Sequence, residues 1–525
     1  MNFSMTEQER FFQGSGAEYL NTKPSWKPFM KKGTPPRWCR DRMVDVKHIK
    51  LIFKPDFKNK SFEAECTLTV APINENCSFL ELDACEMDIS SVKVGGKKVD
   101  WHHDGEKLTV EFGRDVKPDQ DIKITTKYSA TPRHGVYFVG PDKGYPDKHQ
   151  EMWTQGQDED SRYWFPCFDY PNERATSEII AYVPKGMTSF SNGELVKEST
   201  EGKWQVHHWK HDTSHVAYLV SLVIGNYKKF SDEWDGIPVT YYVPPNRAAD
   251  GKRAFGRTAD MVKFYSEKIG VRYPYAKYGQ ITAADFIFGG MENTTATTQT
   301  ELTLHDKRAH IDFSSEPLVC HELAHQWFGD YLSCRDWSHA WLNESFATYF
   351  EAMWCEESLG DDEFKYYLDG DWRAYLMEDA GSYRRPIQTN VYVEPLDLFD
   401  RHLYQKGGVI LHHLRNILGD RLWWKVINHY VTNNADSSVI TQDFATSLEE
   451  VTGRNFDWFL DQWIFGGGHP AFTVKAKWDQ KTKQVDFTVL QTQKKDELTA
   501  IFRTPLTVKF AYEGGEEVRE MQIDK

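Results

Sequence analysis

Residues 319 to 351 read VCHELAHQWFGDYLSCRDWSHAWLNESFATYFE. His321 and His325 stand four apart, so on a helix they share one face and can grip one ion from successive turns. Glu322, one residue round from that face, can reach a water at the ion without taking a ligand position. The surrounding SSEPLVCHELAHQWFGD predicts a helix of about 13 residues, N-capped by its serines, with Pro317 in the first turn and its end at Gly329. HExxH by itself is modest evidence, because a charged helix face produces the same letters.

A catalytic zinc site keeps three protein ligands and leaves a fourth position open, so a third ligand is needed. Glu344 supplies it, with eighteen residues between it and His325. In AWLNESFATYFEAMW the residues Leu342, Phe346, Tyr349, Phe350, Met353 and Trp354 form an apolar stripe at helical spacing, which puts Glu344 on a packed helix. A carboxylate near such a face is costly unless it is paired or metal-bound. Glu351 follows two turns on along that face, where it either accepts the second ring N–H of a ligand histidine or is a solvated glutamate. These residues predict one zinc ion per chain, and Glu322 is placed to take a proton from the zinc-activated water and return it to a leaving nitrogen.

Outward from this motif, the chain divides into three. From about residue 40 to 227 short alternating runs (FEAECTLTVAPI, KLTVEFG, IKITTKYSA, SEIIAYVP) broken by Gly, Pro, Asn and Asp predict antiparallel β structure. From about 250 the period moves toward 3.6, with helices expected in RAFGRTADMVKFYSEKIG and around 316–329, 340–358 and 408–418. After FLDQWIFGGGHPAF, the β pattern returns in FTVKAKW, QVDFTVLQTQ and TPLTVKFAY, with too few strands to close a sandwich. The expected division is 1–227, 228–466 and 467–525: a multidomain α+β chain whose last domain reads as incomplete, with its exposed strand edges favouring self-association.

HELAHQW with the later glutamate resembles the gluzincin metallopeptidases. GGMEN at 289–293 and WLNESFATYFE narrow the resemblance to the aminopeptidase N family, and TQGQDEDSRYWFPCFDYP (154–171), YPYAKYGQ (273–280) and YQKGG (404–408) extend it. It covers roughly residues 40 to 510. The resemblance implies a saddle-like N-terminal β domain, a thermolysin-like, mainly helical catalytic domain and a small β-sandwich, usually followed by a large helical domain that this sequence lacks. It also implies that Tyr404 stabilises an oxyanion and that Glu292, with Gln157 and the weaker candidate Gln155, binds a free α-amine. Without the family, Tyr404 would read as an ordinary phenol. Gly289, Gly290 and Met291 would let an edge strand run close to a peptide, although the two glycines also suit a simple turn. Ser345 stands where many relatives carry Gly. The implied substrate is a peptide with a free N-terminus. Two other readings stay open: a fold kept for binding without chemistry, and a zinc endopeptidase, which would have no use for Glu292.

Composition agrees with an enzyme of this kind. A net charge of −15 with no Lys/Arg run argues against a nucleic-acid partner; it serves solubility or gives an acidic cleft for positively charged ligands. The start, MNFSMTEQERFFQGSGAEY, places charges where a signal peptide needs apolar residues, and the longest apolar run, VAYLVSLVIG, is too short for a membrane span. Eight dilute cysteines without CxxC spacing fit a reducing compartment, so the expectation is a cytoplasmic protein with no membrane partner.

Overall fold

The computed structural model describes residues 27–524; the polar start read above lies outside them. The N-terminal region is built on an eight-stranded sheet whose central strand is Val44–Asp56. Its alternation buries Val44, Val46, Ile49, Leu51 and Phe53 on one face. Val46 and Ile49 both face inward because a bulge between Val46 and His48 resets the two-residue period. Against that face pack a three-stranded sheet contributing Leu80, Leu108 and Val110 and a four-stranded sheet contributing Met152, Leu222 and Ile224, so one core serves all three.

One pairing corrects the antiparallel expectation. Val44–Asp56 runs parallel to Arg174–Pro184, with His48 opposite Thr176. The chain between them adds four more strands to this sheet, builds the three-stranded sheet and two strands of the four-stranded one, and returns in the same direction; alternation marks strands but carries no information on pairing direction.

The second region is mainly helical but holds a five-stranded mixed sheet: Lys228–Trp234, Ile237–Val243, Tyr278–Ala283, Thr297–Thr300 and, at its edge, Gly290–Met291. Every residue of Tyr278–Ala283 and Thr297–Thr300 is buried, so these strands leave no alternation for a periodicity search to find. Helices Ala248–Phe255 and Thr258–Ile269 fill the expected 253–270 segment, the second ending on Gly270 in the left-handed region (φ 73°). Further helices follow at Glu316–Ala324, Trp341–Leu359, Asp361–Gly381, Gly407–Leu418, Asp420–Asn433, Thr441–Thr452 and Asp457–Trp463. Arg174 ties the two regions together, donating to Ser333 Oγ (2.6 Å), Asp330 O (3.0 Å) and Asp436 Oδ1 (3.0 Å).

The final strands form two hairpins, Phe472–Asp479 with Gln484–Gln491 and Thr504–Tyr512 with Gly515–Ile523, and among the described residues neither pairs as a strand with any other sheet. No helix among the described residues is long and apolar enough to cross a membrane.

Candidate metal and peptide site

The first ligand helix is Glu316–Ala324, shorter than expected. Its first turn holds Pro317, and the Glu316 N–H donates to Ser314 Oγ (3.2 Å), while Ser315 turns away to donate to Thr303 O (2.6 Å). The spiral does not stop at Ala324 but tightens: Gln326 and Trp327 N–H reach Leu323 and Ala324 carbonyls three residues back, both at 3.1 Å. His325 still donates its N–H to His321 O (3.3 Å), so the two imidazoles stay on one face.

The second helix, Trp341–Leu359, carries Glu344 in its first turn, where free N–H groups and the helix dipole favour a carboxylate. Asn343 pins that turn by accepting the Cys334 N–H (3.0 Å) and donating to Tyr218 Oη (3.2 Å). The two helices bring His321, His325 and Glu344 together with their ligand atoms within 4.8 Å of one another. His325 Nε2 lies 3.2 Å from His321 Nε2, and Glu344 Oε2 lies 3.2 Å from the first and 3.6 Å from the second.

The remaining ring nitrogens are held from behind: His325 Nδ1 is 2.9 Å from Phe328 O and His321 Nδ1 is 3.3 Å from Glu351 Oε2. An N–H donated to each of these oxygens fixes the tautomer that aims both Nε2 lone pairs at one point beside a buried carboxylate. That donor set, two imidazole nitrogens and one carboxylate oxygen, fits a divalent metal such as zinc. The electrostatics favour positive charge there. Burial pulls the His325 imidazole down, but Glu344 and Glu292 outweigh it and raise it to about 9. Burial pushes Glu344 up, yet His325 and His321 hold it down at about 2.

Glu322 is 4% exposed, and burial lifts its carboxyl to about 8 against the pull of His321 and His325. It lies against Gly290: a Cβ added there would sit 2.0 Å from Glu322 Oε1. Gly290 is thus required by the carboxylate behind it, while Gly289 meets the requirement of backbone conformation (φ 83°) with open space around it. Among the described residues Gly290–Met291 pairs only with Thr297–Thr300, at the edge of the sheet. Glu292 follows, buried, with Gln157 Nε2 donating to its Oε1 at 3.3 Å. Gln155 reaches Met291 Sδ instead (3.1 Å). Tyr404 comes in from the far side, its ring 6.1 Å from that of His321, its phenol raised by burial and by Glu344 and Glu292.

Two family models match the chain. "Peptidase M1 N-terminal domain" matches residues 46–219, and "Peptidase family M1 domain" matches 253–463, the stretch that holds the triad, Glu292 and Tyr404. The chain belongs to peptidase family M1. This M1 chain is 26% identical over 473 residues to "Probable aminopeptidase 2" of Sulfurisphaera tokodaii, an alignment that covers 89% of this chain and 59% of the relative. It is 28% identical over 403 residues to "Aminopeptidase M1" of Arabidopsis thaliana (74% and 45% covered) and 27% identical over 401 residues to "Leucyl aminopeptidase" of Saccharolobus solfataricus (75% and 50%). The chain therefore spans about half the length of the curated relatives it matches.

Beside the triad stands a residue that the sequence alone does not single out. The Gln326 amide makes four bonds, two of them to the Glu292 loop: Nε2 donates to Glu292 O (3.0 Å) and Asp330 Oδ2 (2.8 Å), and Oε1 accepts from Thr295 N–H (2.9 Å) and Tyr273 Oη (3.0 Å). Its place directly after His325 is the only hint in the sequence.

Proposed function

We propose that this chain is a zinc-dependent aminopeptidase that removes the N-terminal residue from peptides. The buried Glu292 carboxylate beside the triad carries the exopeptidase choice. Among the described residues it has no Lys or Arg partner, and it stands at the end of the sheet's edge strand. A buried carboxylate with no Lys or Arg beside it is costly, and a substrate ammonium meets that need while fixing the scissile bond's distance from the metal.

His321, His325 and Glu344 would hold one zinc ion, which when bound supplies Lewis acidity, polarising a carbonyl and lowering the pKa of water. Glu322 takes a proton on its carboxylate and gives it up to the leaving nitrogen. Tyr404 Oη donates to the developing oxyanion. Gln157 accepts from the substrate amine through its Oε1, and the Gly290–Met291 edge aligns the peptide backbone. Glu351 keeps His321 in its ligand tautomer.

The same reading takes 1–227 as a saddle-like domain, 228–466 as a thermolysin-like catalytic domain and 467–525 as part of a β-sandwich. Eight cysteines without a disulfide among them support placing the protein in the cytoplasm.

The test is a panel of aminoacyl fluorogenic substrates and their N-acetylated forms, with and without chelator, on wild type and Glu292→Ala. The free amine should be strongly preferred, chelation should abolish turnover, and Glu292→Ala should narrow the preference. Equal rates on acetylated substrates would favour an endopeptidase, and no turnover by metal-replete protein would favour a binding scaffold.

A further inference from the structure

A second buried group of metal-ligating side chains lies among the described residues: Glu378, Asp400 and His402. The occupancy of their lone pairs argues against a second metal. Arg385 grips Asp400 with Nη2 on Oδ1 (2.6 Å) and Nε on Oδ2 (2.7 Å), and Tyr383 Oη donates to Oδ2 (2.9 Å). The N–H groups of His402 and Leu403 donate to Oδ1 at 2.9 and 3.0 Å. Glu378 Oε2 accepts from the Arg401 N–H (2.9 Å) and from His402 Nδ1 (3.2 Å). Arg385 and His402 already supply the cations, and a metal would have to evict a buried guanidinium.

What this group grips is a turn. His402–Lys406 is a single π-helical turn with Tyr404 at its centre. Such turns lose regular i→i−4 bonding and depend on outside support. Asp400 gives that support from one side: its carboxylate caps the first N–H groups, and its carbonyl accepts from Leu403 (3.0 Å) and Tyr404 (3.1 Å). From the other side Ser345 Oγ donates to Leu403 O at 2.6 Å. Ser345 follows the ligand Glu344, so this bond joins the metal helix to the tyrosine turn. Gly407 makes room for it, since a Cβ there would lie 1.9 Å from Ser345 Oγ.

We propose that Asp400, with Arg385 and His402 behind it, and Ser345 across from it are positioning residues that hold Tyr404 at its distance from the metal triad. This rests on the reading of Tyr404 as the donor to the oxyanion. The residues touch no substrate; they act through the backbone of the π-turn.

The test makes Ser345→Ala and Asp400→Asn in wild type and in a Tyr404→Phe background. Zinc content, Tm, kcat and KM are measured on one aminoacyl substrate. Expected are full zinc, a KM within about twofold, and a kcat lowered about tenfold in wild type, since misplacement of about an ångström costs that much or more. In the Tyr404→Phe background neither substitution should lower kcat further, because the group they position is gone. A merely structural role would instead multiply through both backgrounds. The inference is overturned if Tyr404→Phe depresses kcat while Ser345→Ala leaves it unchanged, or if the losses multiply. If Asp400→Asn does not fold, Ser345→Ala decides, since it leaves every buried charge paired. A Tyr404→Phe enzyme with wild-type kcat would remove the role of Tyr404 itself, and this inference with it.

Discussion

The contact between Glu322 and Gly290 is the tightest constraint on the site. Gly290→Ala would put a methyl where the Glu322 carboxylate stands, so one must move. It should therefore depress kcat while sparing zinc, which does not depend on Glu322; metal analysis beside kinetics checks this, and wild-type turnover would mean that the strand yields instead. Glu322→Gln keeps the shape and all three ligands but removes the proton acceptor, and should cost about 10²–10⁴ in kcat with zinc retained. A variant that turns over normally would end the proposed role. At this scale much was legible in the sequence. His321, His325 and Glu344 follow from spacing because metal geometry is local and helices repeat. The partner of Gly290 was hidden because the two residues meet only through the tertiary fold, as were the four bonds of Gln326.

Among the elements, the π-turn of Tyr404 is held by a buried ion cluster that its own sequence does not announce. DRHLYQKGG gives no sign that Asp400 and His402 pair with Arg385 and Glu378, since those partners come from sequence well upstream. The ion cluster predicts a pH signature. Burial lowers His402, but Asp400, Asp379 and Glu378 outweigh it and raise the ring to about 9. An unfolded histidine sits near 6.5, so the folded state binds this proton more tightly. The stabilisation is complete below about pH 6.5 and is lost as pH rises through about 9, an effect of order 3 kcal/mol. Lys406, which burial lowers to about 7, titrates nearby in the opposite sense, favouring the folded state as pH rises. That contribution is present with or without His402, so it largely cancels in a difference. The Tm gap between wild type and His402→Gln should therefore be widest below about pH 6.5 and close toward pH 9. A gap independent of pH would mean that folding leaves the His402 pKa at its unfolded value, and that the ion cluster does not hold its proton.

Across the whole molecule, alternation and period divide β from helical regions well, while pairing direction and wholly buried strands escape them, because each is settled by neighbours distant in sequence. The last 50 or so residues show the consequence for stability. Among the described residues the strands of each hairpin pair only with each other, and Val474, Trp478, Val485, Leu490, Tyr512 and Val518 are exposed. Two-stranded hairpins are marginal in water without a covering layer. The segment between them is better held. Arg503 N–H donates to Gln462 Oε1 (2.9 Å), Arg384 Nη1 donates to Thr499 Oγ1 (2.9 Å), and the Phe502 ring packs 4.6 Å from that of Trp463. Hydrogen exchange should thus show an alternating pattern: fast amides in Phe472–Gln491 and Gly515–Ile523, slower ones around 499–504, and the slowest in Trp341–Leu359, whose inner face is buried throughout. Free strand edges beside exposed apolar side chains also favour association, so sedimentation should depend on concentration. Hairpin amides as protected as those of the ligand helix, in a sample that stays monomeric at high concentration, would overturn this account. Protection that appears only as the protein associates would instead identify the hairpins as the surface through which copies meet.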